Sequence, residues 1–245
     1  MDLEAFEQRV AEVQEASDLW QLFTDFFEET DVARVVYHHV PPLGAPDGDR
    51  IDIAAHGVPP EMVTRYVEER HYRHNPMLRH ALNSVEPFYF DDIARSNSLC
   101  DDERGFVEAV RGLGLLNGIG VQVFGPNGRN GYCGLGLRDG VDRVSPAEMR
   151  TYQWVCQLSH LRYCALLQIG LGPMPSLSDR EGEVLAWVAR GKSNTSIAAI
   201  LGISVHTVDA HLRRIYLKLG VFDRISAAVR GIGIGLIPCE PPRLT

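Results

Sequence analysis

Between Ser204 and Gly220 the chain reads Val-His-Thr-Val-Asp-Ala-His-Leu-Arg-Arg-Ile-Tyr-Leu-Lys-Leu. Val205, Val208, Leu212, Ile215 and Leu219 recur at helical spacing, so a helix here buries them together. His206, Thr207, Asp209, Ala210, Arg213, Arg214 and Lys218 then share the other side. Cationic groups in that arrangement fit nucleic-acid chemistry. Arg213 carries the fork needed for bidentate pairing with a guanine edge. Thr207, Lys218 and the upstream Lys192 suit phosphate oxygens. His206, Ala210 and Arg214 complete the candidate DNA-contact set. Asp209 repels phosphate, and its spacing to Arg213 predicts an i,i+4 ion pair. A merely solvated basic face is the alternative for one helix in isolation.

The flanking elements argue against that alternative. Ser178 with Glu181 three residues later is a capping box. Val184, Leu185, Trp187 and Val188 follow as one stripe, and Gly191 supplies the stop. Ser193 or Asn194 opens a second helix with Ile197, Ala198, Ile200 and Leu201 inward. Gly202 makes the turn, Ser204 caps the basic third helix and Gly220 ends it. Asp223 caps a fourth, in which Ile225, Ala228, Val229 and Ile232 recur. A tight turn ahead of a basic helix is a helix-turn-helix, whose second helix enters the major groove. The predicted C-terminal domain spans 177–245 and is all-α.

This segment resembles the DNA-binding domain of LuxR-type transcriptional regulators over nearly all of 176–237. Glu183, Leu185, Gly191, Thr207, Val208 and Lys218-Leu219-Gly220 stand at the family's signature positions. The resemblance implies a homodimer on an inverted-repeat, double-stranded operator, often with the fourth helix at the dimer contact.

Net charge is −8, which argues against nucleic acid until it is divided. Residues 176–245 hold nine Lys and Arg against six Asp and Glu, a net +3; residues 1–175 carry −11. The two lysines, Lys192 and Lys218, both lie in the basic part. That confinement is the electrostatic footprint DNA binding requires. With 245 residues there is room for two domains. No apolar run is long enough to span a bilayer. The acidic start lacks a signal peptide's basic region, so a cytoplasmic location is expected. Five cysteines without a Cys-x-x-Cys predict reduced thiols, and nine histidines show no metal spacing. His38 and His39 are adjacent in a predicted strand and should face opposite ways.

The first 169 residues read as a regulatory domain, with a linker at 170–176. Helical periodicity fills 1–28. Strands are predicted over 33–40, 51–55 and 87–90, with a turn-rich loop at 41–50. Helices are predicted over about 60–71, 76–84 and 101–113. Residues 118–124 and 132–138 flank a Gly-Pro-Asn-Gly turn, a hairpin signal. Ser145-Pro146 opens a long helix to about 168. An α+β fold follows, an antiparallel sheet sandwiched by helices.

This order is similar to the autoinducer-binding domain of the LuxR family over about 15–168. Arg65-Tyr66, Asn75-Pro76 and the Gly118–Gly128 strand and turn carry the resemblance. The resemblance also assigns a ligand site, and this chain departs from it. A Trp whose indole donates to a lactone carbonyl becomes Met62, and a Tyr becomes Val58. The Asp that accepts the ligand amide becomes Asn75. A second Trp falls at Phe90 and a Ser or Thr at Gly134, while the Tyr survives as Tyr66. Met and Val donate no hydrogen bonds. The expectation is a cavity whose effector is not a standard acyl-homoserine lactone, with Tyr66, Asn75, Tyr37 and Gln122 as orienting groups. For Asn75 a helix cap before Pro76 is an equal reading.

The alternative is a ligand-independent regulator whose N-terminal domain serves dimerisation or protein interaction. The helix over 146–168 and the helix after Asp223 are the candidate dimer contacts. An enzyme is not expected: there is no nucleophile elbow, metal set or phosphate loop. Gly118-Ile-Gly120 and Gly134-Leu-Gly136 lie in strands and lack the context of a dinucleotide site. No cofactor is predicted.

Overall fold

A computed structural model describes residues 1–48, 52–171 and 174–237. The chain forms two compact units, 1–40 with 51–170, and 41–50 with 171–245.

The first unit is built on a five-stranded antiparallel sheet. Its strands are β1 (Val32–Val40), β2 (Ile53–His56), β3 (Phe88–Tyr89), β4 (Gly118–Val123) and β5 (Asn130–Leu137), in the order β2-β1-β5-β4-β3. One face packs against α1 (Leu3–Glu12), α2 (Ala16–Phe27) and α7 (Pro146–Gly170). The other face carries α3 (Pro60–Glu68), α4 (Pro76–Ala81), α5 (Phe90–Ala94) and α6 (Asp101–Gly112). The α+β expectation therefore holds.

Strand alternation explains the division of faces. Val35, Ile119, Val121, Leu135 and Leu137 point to the α1–α2–α7 side, where Phe6, Phe23, Phe27 and Tyr152 complete the main core. Each such side chain contributes about 1.5–3 kcal/mol by leaving water. Gly118 and Gly120 of β4 and Gly134 and Gly136 of β5 stand at alternate positions. A Cβ on Gly120 would strike the Phe88 ring at 2.2 Å, and one on Gly118 would meet the Phe90 ring at 2.5 Å. The glycines let the Phe88 and Phe90 rings approach the sheet backbone where a Cβ would collide with them.

Local signals set the helix starts. Ser145 and Glu148 form a reciprocal cap at α7, with Ser145 N–H donating to Glu148 at 2.8 Å. The connection between β4 and β5 turns through Asn127 and Gly128, both at positive φ. Several element bounds need adjustment: the stretch 1–28 forms two helices, and the helix over 76–84 ends at Ala81. The strand over 87–90 shrinks to Phe88–Tyr89 because Phe90 already starts α5. The helix over 60–71 stops at Glu68, and Arg70 turns left-handed (φ 55°).

The second unit contains α8 (Asp179–Ala189), α9 (Asn194–Leu201), α10 (Val205–Leu219) and α11 (Arg224–Gly233). Ser178, Ser193, Ser204 and Asp223 cap them through their side chains. Each such cap is worth about 1 kcal/mol. Gly202, at φ 65°, allows the turn between α9 and α10, whose axes differ by 108°. Val184, Leu185, Ile197, Val208 and Ile215 form the core of this unit. No single helix among the described residues is long and apolar enough to cross a membrane. Cys133 and Cys156 are buried free thiols, Cys164 is buried beside His160 and Cys100 is exposed; Cys239 lies outside the described residues.

Candidate DNA-binding face and ligand cavity

On α10 the apolar residues Val208, Leu212, Ile215 and Leu219 are buried, while Val205 at the first turn is exposed. His206, Arg213, Arg214 and Lys218 are exposed, as is Lys192; Thr207 and Ala210 are half-buried. The Thr207 hydroxyl lies 2.8 Å from that of its cap, Ser204.

Two side chains behave differently from expectation. Asp209 does not pair with Arg213; it accepts a 2.6 Å hydrogen bond from Asn194 and so ties α10 to α9. Lys218 donates to Glu181 at 2.7 Å. Glu181 is buried and also accepts from the Ser178 N–H at 2.9 Å. Burial by itself raises its carboxyl pKa, but the Lys218 and Ser178 hydrogen bonds and the Lys218 charge outweigh that. The carboxyl therefore sits below its ordinary value. Lys218 thereby ties α10 to α8. On α11 the recurring isoleucines are not the packed ones. Ile225 is 73% and Ile232 53% exposed, and nearby Leu217 (84%) and Phe222 (96%) are bare. Ala227 and Gly231 are buried instead, and Gly231 lets α11 approach Leu185 on α8.

The first unit holds a cavity of about 170 Å³ between the sheet and α3, α4, α5 and α6. Val58, Met62, Tyr66, Asn75, Phe90 and Gly134 all line it. Six positions named from the sequence thus converge on one space. Tyr37 and Gln122 do not line it. Tyr37 has the opposite strand parity and points to α7, where its hydroxyl meets His160 Nδ1 at 2.7 Å. Gln122 is buried, and with its amide oriented to suit its neighbours it donates to the Ala81 and Gly131 carbonyls. Neither is placed to orient a ligand in this cavity.

Asn75 is a helix cap. Its Oδ1 accepts from Met77 N–H at 3.0 Å and Leu78 N–H at 3.3 Å, while Nδ2 donates to the Tyr66 hydroxyl at 2.8 Å. The amide oxygen is thereby committed to the chain, and the Tyr66 O–H remains able to donate. Burial raises the Tyr66 pKa, so the phenol stays protonated.

Sequence reasoning missed Arg34, Val36, His38 and Tyr132, which line the same space. The parity of β1 with the glycines of β5 was the available signal. Burial lowers the His38 pKa to about 4, so its ring is neutral at physiological pH. His38 and His39 do face opposite ways, since His39 stacks edgewise on Tyr163 of α7. His39, His160 and Cys164 bring possible ligand atoms within 4.8 Å of one another. No spacing motif announced this cluster because it joins β1 to α7. His160 is satisfied as a neutral ring, with Nε2–H donating to the Arg129 carbonyl at 2.8 Å and Nδ1 facing Tyr37.

The model of the autoinducer binding domain matches residues 15–163, more than half of the chain. That of the bacterial regulatory proteins of the luxR family matches 175–230. The chain belongs to the LuxR family. It is a quorum-sensing-type DNA-binding regulator with an autoinducer-binding N-terminal domain. The transcriptional activator AnoR of Acinetobacter nosocomialis is 30% identical over 183 residues, 71% of this chain and 73% of that protein. The quorum-sensing-dependent regulator RpaR of Rhodopseudomonas palustris is 28% identical over 75% of this chain and 74% of its own. Among solved structures, Escherichia coli SdiA aligns with a TM-score of 0.71 at 21% identity, covering 96% of this chain and 99% of SdiA. These relatives are regulators, and no enzyme is among them.

Proposed function

We propose that this LuxR-family regulator binds an inverted-repeat operator as a homodimer in the cytoplasm and responds to a small molecule that is not a standard acyl-homoserine lactone. The cavity lining carries the ligand half of this reading. Met62, Val58 and Gly134 offer no side-chain donor where the family resemblance places polar groups, and Asn75 Oδ1 is spent on the α4 cap. Each missing hydrogen bond is worth about 0.5–1.5 kcal/mol, so three together remove most of a tight head-group interaction.

For DNA, Arg213 is the base-reading residue. Arg214, Lys192, His206 and Thr207 support it around the groove. A single half-site contact is weak, and two-fold pairing supplies the rest. The bare Phe222, Ile225 and Ile232 near and on α11 are the contact proposed for the second unit, and the exposed Trp154 and Leu161 on α7 that for the first.

Thermal shift with lactones of four to twelve acyl carbons tests the ligand half. A ligand at a hundred times its dissociation constant adds about 2.7 kcal/mol. An unmoved melting point across the lactones is expected, and a strong rise with any of them would overturn the reading.

A further inference from the structure

The cavity is apolar except at a few points, and among the described residues its lining contains one formal cation, Arg34, and no carboxylate. Arg34 is half-buried. Among the described residues it has no ion-pair or hydrogen-bond partner. An arginine lining an apolar space with no counter-charge on the described lining is a candidate binding group for an anion.

The Tyr132 hydroxyl is the second point. Tyr132 is buried, and its hydroxyl has no hydrogen-bond partner among the described residues. Buried phenols ordinarily find one. Burial raises its pKa far above the usual tyrosine value, so it is a donor at every physiological pH.

Strand register brings the two groups to one place. Arg34 stands opposite Gly136 in the β1–β5 ladder. A Cβ on Gly136 would lie 3.1 Å from Arg34 Cβ and 3.5 Å from its Cδ, so the arginine stem runs over that glycine. A Cβ on Gly134 would lie 3.3 Å from the Tyr132 hydroxyl, so the phenol reaches over the next glycine on the same face. Two residues of strand separate those glycines, roughly 7 Å. Arg34 and Tyr132 thus stand over neighbouring glycines of one cavity wall, with Val36, Met62 and Phe90 lining the apolar remainder.

We infer that the cavity's ligand is a small apolar carboxylate, its anionic end held by Arg34 and Tyr132 and its tail in the apolar remainder. This rests on the ligand-responsive reading above and names the chemical class that reading leaves open.

Calorimetry on the full chain at pH 7.5 decides this, with linear carboxylates from butanoate to decanoate and the matching neutral amides as probes. In the wild-type protein the best carboxylate should bind about tenfold tighter than its amide, as a charge-assisted pair implies. R34M keeps the stem over Gly136 and should bring acid and amide within about twofold of each other. R34K should fall between. Y132F, which removes only the hydroxyl, should weaken the acid severalfold and leave the amide less affected. Unliganded melting curves of each variant confirm folding. Equal binding of acid and amide by the wild type would overturn the carboxylate assignment while leaving a ligand-binding cavity intact. Failure of every acid and amide to bind would overturn the carboxylate assignment and remove support from the ligand reading with it.

Discussion

The two units of this chain were encoded differently. In the DNA-binding unit each helix announces its own ends. Ser178, Ser193, Ser204 and Asp223 cap, Gly202 turns, and Gly220 stops, all within a few residues of what they control. In the autoinducer-binding-type unit the cavity belongs to no single segment. It draws on β1, β2, α3, α4, α5, α6 and β5, and its polar groups meet only through strand register. Local chemistry is therefore a good guide to the DNA-binding helices and a poor one to the cavity.

The largest expected difference is in packing. Leu185 is fully buried in the core of the second unit. Leu185→Ala should cost about 2–5 kcal/mol, read by denaturant unfolding. Met62 is half-buried beside open space, and Met62→Ala should cost well under half of that. Equal losses would mean that the cavity wall is as tightly packed as the core.

On the DNA side, Arg213 and Lys218 should part company. Arg213→Ala should lose about 1–3 kcal/mol at the operator in a band-shift series and relax one base position, with folding unchanged. Lys218→Met leaves the buried Glu181 carboxylate without its cation and should cost about 1–3 kcal/mol of stability. Glu181 titrates below its ordinary value when folded. Its stabilising contribution is therefore complete above about pH 4.5 and disappears as pH falls through the folded value. Lys218→Met should shift that loss to higher pH. A variant as stable as wild type that binds all DNA more weakly would return Lys218 to phosphate contact.

A gentler acid effect belongs to the autoinducer-binding-type unit. Burial lowers the pKa of both His38 and His160 to about 4. Below the ordinary histidine value of about 6.5 the unfolded chain takes up protons that the folded form refuses. Stability should then decline between about pH 6.5 and 4, by up to about 1.4 kcal/mol per unit for each histidine. His38→Phe should flatten the slope by one proton's worth; an unchanged slope would mean that His38 is already protonated when folded.

How far the sequence could be read follows the same division. The α+β sandwich, the β4–β5 hairpin and all four C-terminal helices rest on short-range signals and were legible. So were six cavity positions, through resemblance. Tyr37 misled because a tyrosine in a strand gives no sign of which face it takes until the strand is paired. Arg34 and Tyr132 were silent because they are 98 residues apart in sequence and share one face of the sheet only through the β1–β5 register. Glu181 and Lys218, 37 residues apart, join for the same kind of reason.

The central claim is that the cavity survives while its lactone-holding chemistry has been replaced. Calorimetric titration of octanoyl-homoserine lactone into the wild-type protein and into the Met62→Trp, Asn75→Asp double variant tests it most directly. Asp at 75 keeps the cap oxygen, and the two changes return an indole donor and a charged acceptor to the cavity. The account predicts negligible heat with wild type and measurable binding by the variant. Tight binding by wild type, with no gain in the variant, would contradict it.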